Sequence, residues 1–350
     1  MNKFTPFILF FSIIFTLHSQ NKDTSKIHFE FYGDLYYSFD FSNPSNHEKP
    51  NFIYNHKRHN ELNVNLITIK SSYESKDIKA NLSLMAGNYA HYNLANEPVW
   101  AQFINEANVG LRLAKNKELW LEAGIFNSHI GFESMYSMDC WTLTRSILAE
   151  NSPYFETGVK LNYTTPNKKY FLSVMYLNGW QNIQKEYENQ SPSFGTQIRY
   201  TPNDKLILNY SNFIGKVSNA FRNFHNSYVQ YQFNKKTGII LGFDLGVDYI
   251  NENNTSKIWY APVFLVKQNI NKNFDLTLRT EYYKDEKGAI VNTNFNNGFE
   301  IFGISSNIDY VKMKNALIRL EVKYLNANNP FFNNEQRSNL SLTTNFCIRL

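Results

Sequence analysis

The chain is poor in the features that mark disulfide-stapled, metal-binding, nucleotide-binding and helical membrane proteins. Two cysteines, Cys140 and Cys347, occur in 350 residues. That is too few for a disulfide framework, although one bridge between them stays open. No phosphate-cradling glycine loop, dinucleotide fingerprint, G-x-S-x-G elbow or cysteine-rich metal spacing occurs. No cofactor, bound metal or nucleic-acid partner is therefore expected, nor is an enzyme. After Gln20 no uninterrupted apolar stretch approaches the ~18 residues that a membrane-spanning helix needs, and the mean hydropathy is −0.45. What the chain has in excess is aromatic side chains, 16% of all residues.

These aromatics are patterned. In IHFEFYGDLYYSFDF (27–41) every odd position is apolar, aromatic or glycine, and every even position carries a polar group. Period two marks an extended strand whose faces meet different surroundings. A half-buried strand of a soluble sandwich would alternate in the same way, so three further features separate the cases.

The first is the start of the chain. Lys3 precedes an apolar run, Phe7 to Leu17, of secretory h-region length, and Ser19-Gln20 is a plausible cleavage point. The run is too short to span a bilayer, and no cysteine follows it to carry a lipid. Residues 1–19 are expected to be a signal peptide and 20–350 one domain, exported to the outer membrane of a Gram-negative cell.

The second is the number of strands. Sixteen segments alternate, from 27–41 to 338–350. The clearest are IILGFDLGVDY (239–249) and ALIRLEVKYL (316–325); 170–178 and 258–269 are apolar on both faces. The third is what joins them. Short turns rich in lysine, asparagine and proline, such as PNDK (202–205), alternate with longer stretches at 42–59, 89–102, 127–153, 179–193, 214–225, 250–257, 284–298 and 326–337. This asymmetry predicts an antiparallel transmembrane β-barrel with periplasmic turns and external loops. The apolar face meets outer-membrane lipid, and all backbone groups pair within the closed sheet. Tyr37, Tyr163, Tyr200, Tyr249, Tyr282 and Tyr324, near strand ends, are expected to form the interfacial belts. About sixteen strands leave an aqueous lumen, which suits passage of small hydrophilic solutes.

The net charge of +5 sits mostly in the lysine-rich turns. Inward positions hold more acids than bases, which predicts a wall leaning toward cations. Wall candidates are Glu106, Arg112, Lys160, Asp244, Asp248, Arg279, Glu281, Arg319, Glu321 and Lys323. The longest connection, 127–153, is the candidate constriction, with Glu133, Asp139, Arg145 and Glu150 as its charges and WTLTRSILAE (141–150) as a short helix begun by Thr142 or Asp139. HKRH (56–59) lacks a nearby carboxylate or thiolate for a metal site and reads as a solvated loop cluster. Ser128-His129, or Ser146 with Glu150, leaves an outer-membrane hydrolase as one alternative. A non-conducting barrel whose loops hold a surface glycan or a protein is another. A homotrimer is open, with no interface legible.

Several stretches resemble a known family, the OmpL-like β-barrel porins of Bacteroidetes outer membranes. They are FSNPSNHEKPNFIYNHKRHNELNVN (41–65), NEANVGLRL (105–113), LWLEAGIFNSHIGFES (119–134) and, most specifically, WTLTRSILAENSPYFETGVKLNY (141–163). The resemblance implies an outer-membrane barrel acting as a porin. It carries no substrate or site residue with it. The chain ends in Arg349-Leu350, with Phe346 nearby, instead of the terminal aromatic common in such barrels.

Overall fold

The alternation becomes sixteen strands in the structure, a computed structural model describing residues 26–185, 191–250 and 254–350. The expected signal peptide lies outside these residues. The strands are β1 (Lys26–Asp40), β2 (Leu62–Glu74), β3 (Ile78–Ala86), β4 (Ile104–Arg112), β5 (Glu118–Asn127), β6 (Phe155–Thr164), β7 (Tyr170–Leu177) and β8 (Ser193–Asn203). They continue with β9 (Leu206–Val217), β10 (Ala220–Gln232), β11 (Thr237–Ile250), β12 (Thr255–Asn271), β13 (Phe274–Asp285), β14 (Phe299–Tyr310), β15 (Ala316–Ala327) and β16 (Ser338–Arg349). Each pairs antiparallel with the next, and β1 pairs with β16 to close the barrel. Closure leaves no unpaired edge for lipid to face.

Side chains obey the alternation. On β1, Ile27, Phe29 and Leu35 are exposed on the outer face, whereas Tyr32, Asp34, Tyr36, Ser38 and Asp40 are buried inside. On β15, Ile318, Leu320, Val322 and Tyr324 point out while Arg319, Glu321 and Lys323 are buried within. Tyr170 and Tyr200 stack at 4.5 Å beside the periplasmic turns, and Tyr249 and Tyr324 stand exposed near the opposite rim. Aromatic rings with polar tips favour these two levels of a bilayer.

Two of the expected long loops are taken up, in whole or in part, by strands. Residues 214–225 extend the β9–β10 hairpin, joined by Ser218 and Asn219 alone, with Ser218 at φ 50°. Ile250 and residues 255–257 likewise belong to β11 and β12, and 251–253 lie outside the described residues. Across 214–225 the reason is that the apolar Ala220 and Phe224 face inward and break the wet-dry alternation; across 250–257 a polar run hides the strand ends, which pair as Tyr249 with Ser256 and Ile250 with Thr255. Phe224 on β10 and Trp259, Ala261, Val263 and Leu265 on β12 are buried inside the barrel. Trp259 lies across Gly246, where a Cβ would sit 1.9 Å from its ring. The short helix α1 (Ile147–Glu150) packs on this apolar strip through Ile147 and Leu148. The strand 258–269 is thus apolar on both faces because one face meets lipid and the other a folded-in loop.

Phe243 sits mid-strand on the outer face of β11. Replacing it by arginine is expected to cost about 2–4 kcal/mol, the penalty of a cation near the bilayer midplane. Urea unfolding in phospholipid vesicles, with Phe243→Leu as control, measures it.

Candidate pore constriction

The third loop (128–154) does not stand outside the barrel. It enters the lumen and crosses it. A buried loop must find partners for its backbone polar groups without a neighbouring strand, and inward-facing charged and amide side chains supply them.

At its start the His129 ring engages Glu156 on β6 through Nδ1 (3.0 Å) and the Asn212 carbonyl on β9 through Nε2 (2.7 Å). Both nitrogens therefore act as donors. The Gly131 amide donates to Asn226 on β10 at 3.1 Å. A tight turn at Ser137–Asp139 then brings the chain against the opposite wall. There the amides of Leu143, Thr144 and Ile147 donate to Asn307 (3.0 Å), Glu321 (2.6 Å) and Glu281 (2.6 Å) on β14, β15 and β13. Arg279 donates to the Thr144 carbonyl and to Glu321, both at 2.7 Å. Arg319 is held by Asp309 (2.7 and 3.0 Å) and donates to the Ser137 (2.5 Å) and Cys140 (3.1 Å) carbonyls. Lys323 pairs with Glu281 at 2.8 Å and reaches the Arg145 carbonyl at 3.2 Å. Hydrogen bonds to charged groups away from water contribute about 1.5–3 kcal/mol each.

The helix expected over 141–150 shrinks to α1, and its N-cap is Ser146, whose Oγ accepts from the Ala149 amide at 3.2 Å. Residues 142–145 stay irregular because the wall takes their backbone groups.

Of the loop charges read from the sequence, three are sealed within the protein. Arg145 is fully buried and donates to the carbonyls of Ser134 (2.6 Å), Leu143 (2.8 Å) and Met135 (2.9 Å). It knits the loop to itself, as a guanidinium with five donors can. Glu133 accepts from the Ser146 hydroxyl and amide and lies 3.8 Å from Arg279. Burial pushes its carboxyl above the usual range, against the pull of Arg279 and Ser146. Glu150 accepts from the amides of Tyr54 (2.9 Å) and Asn55 (3.2 Å), fastening the first loop to the third. Asp139 alone of the four stays substantially open, at 42% side-chain exposure, paired bidentately with Arg349 at 2.8 Å.

The wall charges all face inward but fall into two sectors. Arg279, Glu281, Arg319, Glu321 and Lys323 are buried beneath the loop, and Asp244 and Asp248 are buried on β11 against Asn226 and Arg222. Glu106 and Lys160 line the other arc with Lys70 and Glu122, and Arg112 meets Glu118 near the periplasmic turn. Sequence reading missed Arg222, because it lay in a supposed loop, and did not select Lys70 or Asp309. The period-two pattern carried through each strand was the signal that could have found them.

HKRH is not a solvated cluster. His56 is fully buried with Nε2 2.9 Å from Asp34, and the ring of His59 accepts from the Asp40 amide at 2.8 Å. Lys57 donates to the Ile53 carbonyl at 3.0 Å, so the first loop also folds into the mouth. Ser128 donates to Glu156 at 3.4 Å, and His129 has neither nitrogen left to serve it as a base.

A sixteen-stranded closed barrel with lipid outside, charge inside and a loop folded into its lumen defines the outer-membrane channel class. The profile of the family described as "Putative beta-barrel porin-2, OmpL-like" matches residues 26–350, and the chain belongs to that family. It is an outer-membrane porin. Among curated proteins no relative matches the sequence. Among solved structures the fold is similar to the outer-membrane channel DcaP of Acinetobacter baumannii, at 11% identity and TM-score 0.62, covering 93% of this chain and 97% of that one. It is similar to the trimer form of OmpT of Vibrio cholerae, at 8% identity and TM-score 0.61, covering 93% and 99%. Salmonella typhi OmpF matches at 9% identity and TM-score 0.62, covering 93% and 98%. At these identities the likeness concerns the fold alone.

Burial opposes the charge on His129, but Glu156 and the Asn212 carbonyl hold its pKa above the ordinary 6.5. A raised folded pKa adds stability in full below the unfolded value, and this stability is lost as pH climbs through the folded one. Protection of the 128–131 amides against hydrogen exchange, corrected for intrinsic rates, is therefore expected to fall as pH rises above about 6.5. His129→Gln is expected to remove that dependence.

Proposed function

We propose that the protein is a passive diffusion channel for small hydrophilic solutes, narrowed by the third loop. The carrying observation is that this loop crosses the lumen and seals the β13–β15 wall, while partly exposed lysines remain on the arc from β2 to β8. Transport then needs no cofactor, and selectivity follows from pore width and the charges left facing water. Asp139, joined to Arg349, is the loop charge that meets the solute path. Glu133, Arg145 and Glu150 act by holding the loop's shape. The reading includes export directed by residues 1–19, a single barrel domain over 20–350 and a lipid-bathed outer surface.

We also propose a homotrimer. The strands β3 to β7 span 8–10 residues, against 11–17 in the others, so the wall is lowest there. The second loop above this low wall exposes Val99 (73%), Trp100 (61%) and Phe103 (55%). Apolar groups of this size, bare at one edge, favour contact with another subunit. The trimer form of OmpT has the same fold.

In planar bilayers the purified protein is expected to give stepwise conductance. With Cys140 and Cys347 replaced by serine, Asp139→Cys is expected to react with a sulfonate thiosulfonate reagent and to lose conductance on reaction, while Glu150→Cys stays inert. Absence of steps would favour a closed barrel whose loops bind a glycan or protein. Trp100→Glu is expected to shift the detergent-solubilised protein from trimer toward monomer by light scattering.

A further inference from the structure

The charges on the open arc are not evenly shared with water. Lys70 on β2 reaches over Ser83 on β3 to Glu106 on β4, at 2.8 Å. Lys79 on β3 reaches over Gly110 on β4 to Glu122 on β5, at 2.7 Å. Both pairs step across a strand whose side chain at that position is small or absent. At Gly110 a Cβ would come within 2.8 Å of Lys79 Cε and 3.0 Å of Glu122 Cγ. The same glutamate is approached by Lys160 from β6, at 3.6 Å.

In each pair the cation is the outer partner. The side chains of Lys70, Lys79 and Lys160 are 24%, 26% and 17% exposed, whereas Glu106 and Glu122 are both 7% exposed. Long lysine stems lie along the wall and leave the ammonium toward water. The short carboxylates sit beneath them, and Asn127 and Asn162 occupy more of their lone pairs. Arg199, inward on β8, is exposed and lies over the Phe171 ring at 5.2 Å. Glu118, more open at 51%, is matched by Arg112 and Glu156 by His129, so this strip sets four cations against two recessed carboxylates. On the other side of the lumen the acids are matched, and the open Asp139 pairs with Arg349. Glu281 and Glu321 bind the third loop, and Asp309 binds Arg319.

We infer that the channel selects small anions, the class of carboxylates and phosphates, through the strip of Lys70, Lys79, Lys160 and Arg199. The inference rests on the channel reading above. It reverses what counting inward charges gives, because a charge locked under a loop or beneath a lysine contributes less to the field in the water path than one at its surface. An anion moving along β2, β3, β6 and β8 passes from one cation to the next, and the recessed glutamates keep any single site from binding it too tightly to leave.

Zero-current potentials across a potassium chloride gradient test this. At about 0.1 M salt the wild-type protein is expected to pass chloride roughly threefold more readily than potassium, with the preference shrinking near 1 M as screening shortens. Lys79→Gln and Lys160→Gln are each expected to lower the ratio, Lys79→Arg to preserve it, and Glu122→Gln to raise it. A conducting wild-type protein with a ratio at or below one overturns this inference and leaves the channel reading standing. So does a ratio unmoved by both glutamine variants. A folded barrel that never conducts overturns the channel reading, and this inference falls with it.

Discussion

A loop inside a tube has no strand beside it to pair its backbone, and this constraint organises the lumen. The wall answers with charge. Glu321, Glu281 and Asn307 accept amide hydrogens from the third loop, and Arg279 and Arg319 donate to its carbonyls. These groups need one another, since a carboxylate or guanidinium buried without a partner would cost several kcal/mol. Removing either side strands the other. The loop is thereby fixed as firmly as a strand, without being one.

That arrangement divides the interior. On the side of β13–β15 wall and loop consume each other's polarity. On the side of β2–β8 the wall lysines keep part of their surface for water. A third surface, the apolar strip of β12 with Phe224 and Trp259, receives Ile147 and Leu148. The lumen is therefore part core and part solvent. This accounts for a barrel whose inner face carries both fully buried arginines and partly exposed lysines.

The architecture was readable from the chain because lipid imposes one simple rule on every outer position. The fifteen residues of β1 obey it from end to end, and the strand count and closure followed from repeating it. The rule weakened where the inside was not wet. Phe224 interrupted the alternation and made the β9–β10 hairpin look like a loop, while Trp259, Ala261, Val263 and Leu265 made β12 apolar on both faces. It failed for the third loop, whose charges have no period. Arg145 reads as a pore charge but binds three carbonyls of its own loop, a fate set by how residues 134–143 fold around it. HKRH misled in the same way. Its polarity suggested water, while its partners, Asp34 and Asp40, were already inside the barrel.

The sealed wall is the claim on which the channel's geometry turns. Hydrogen exchange at the amides of Leu143, Thr144 and Ile147, read in nanodiscs, addresses it most directly. If the third loop is pinned by Asn307, Glu321 and Glu281, these three amides exchange on the timescale of the barrel strands, far slower than those of the outer-loop residues 292–294. Exchange as fast as in that outer loop would show that the third loop swings free of the wall, and the division of the lumen would not hold.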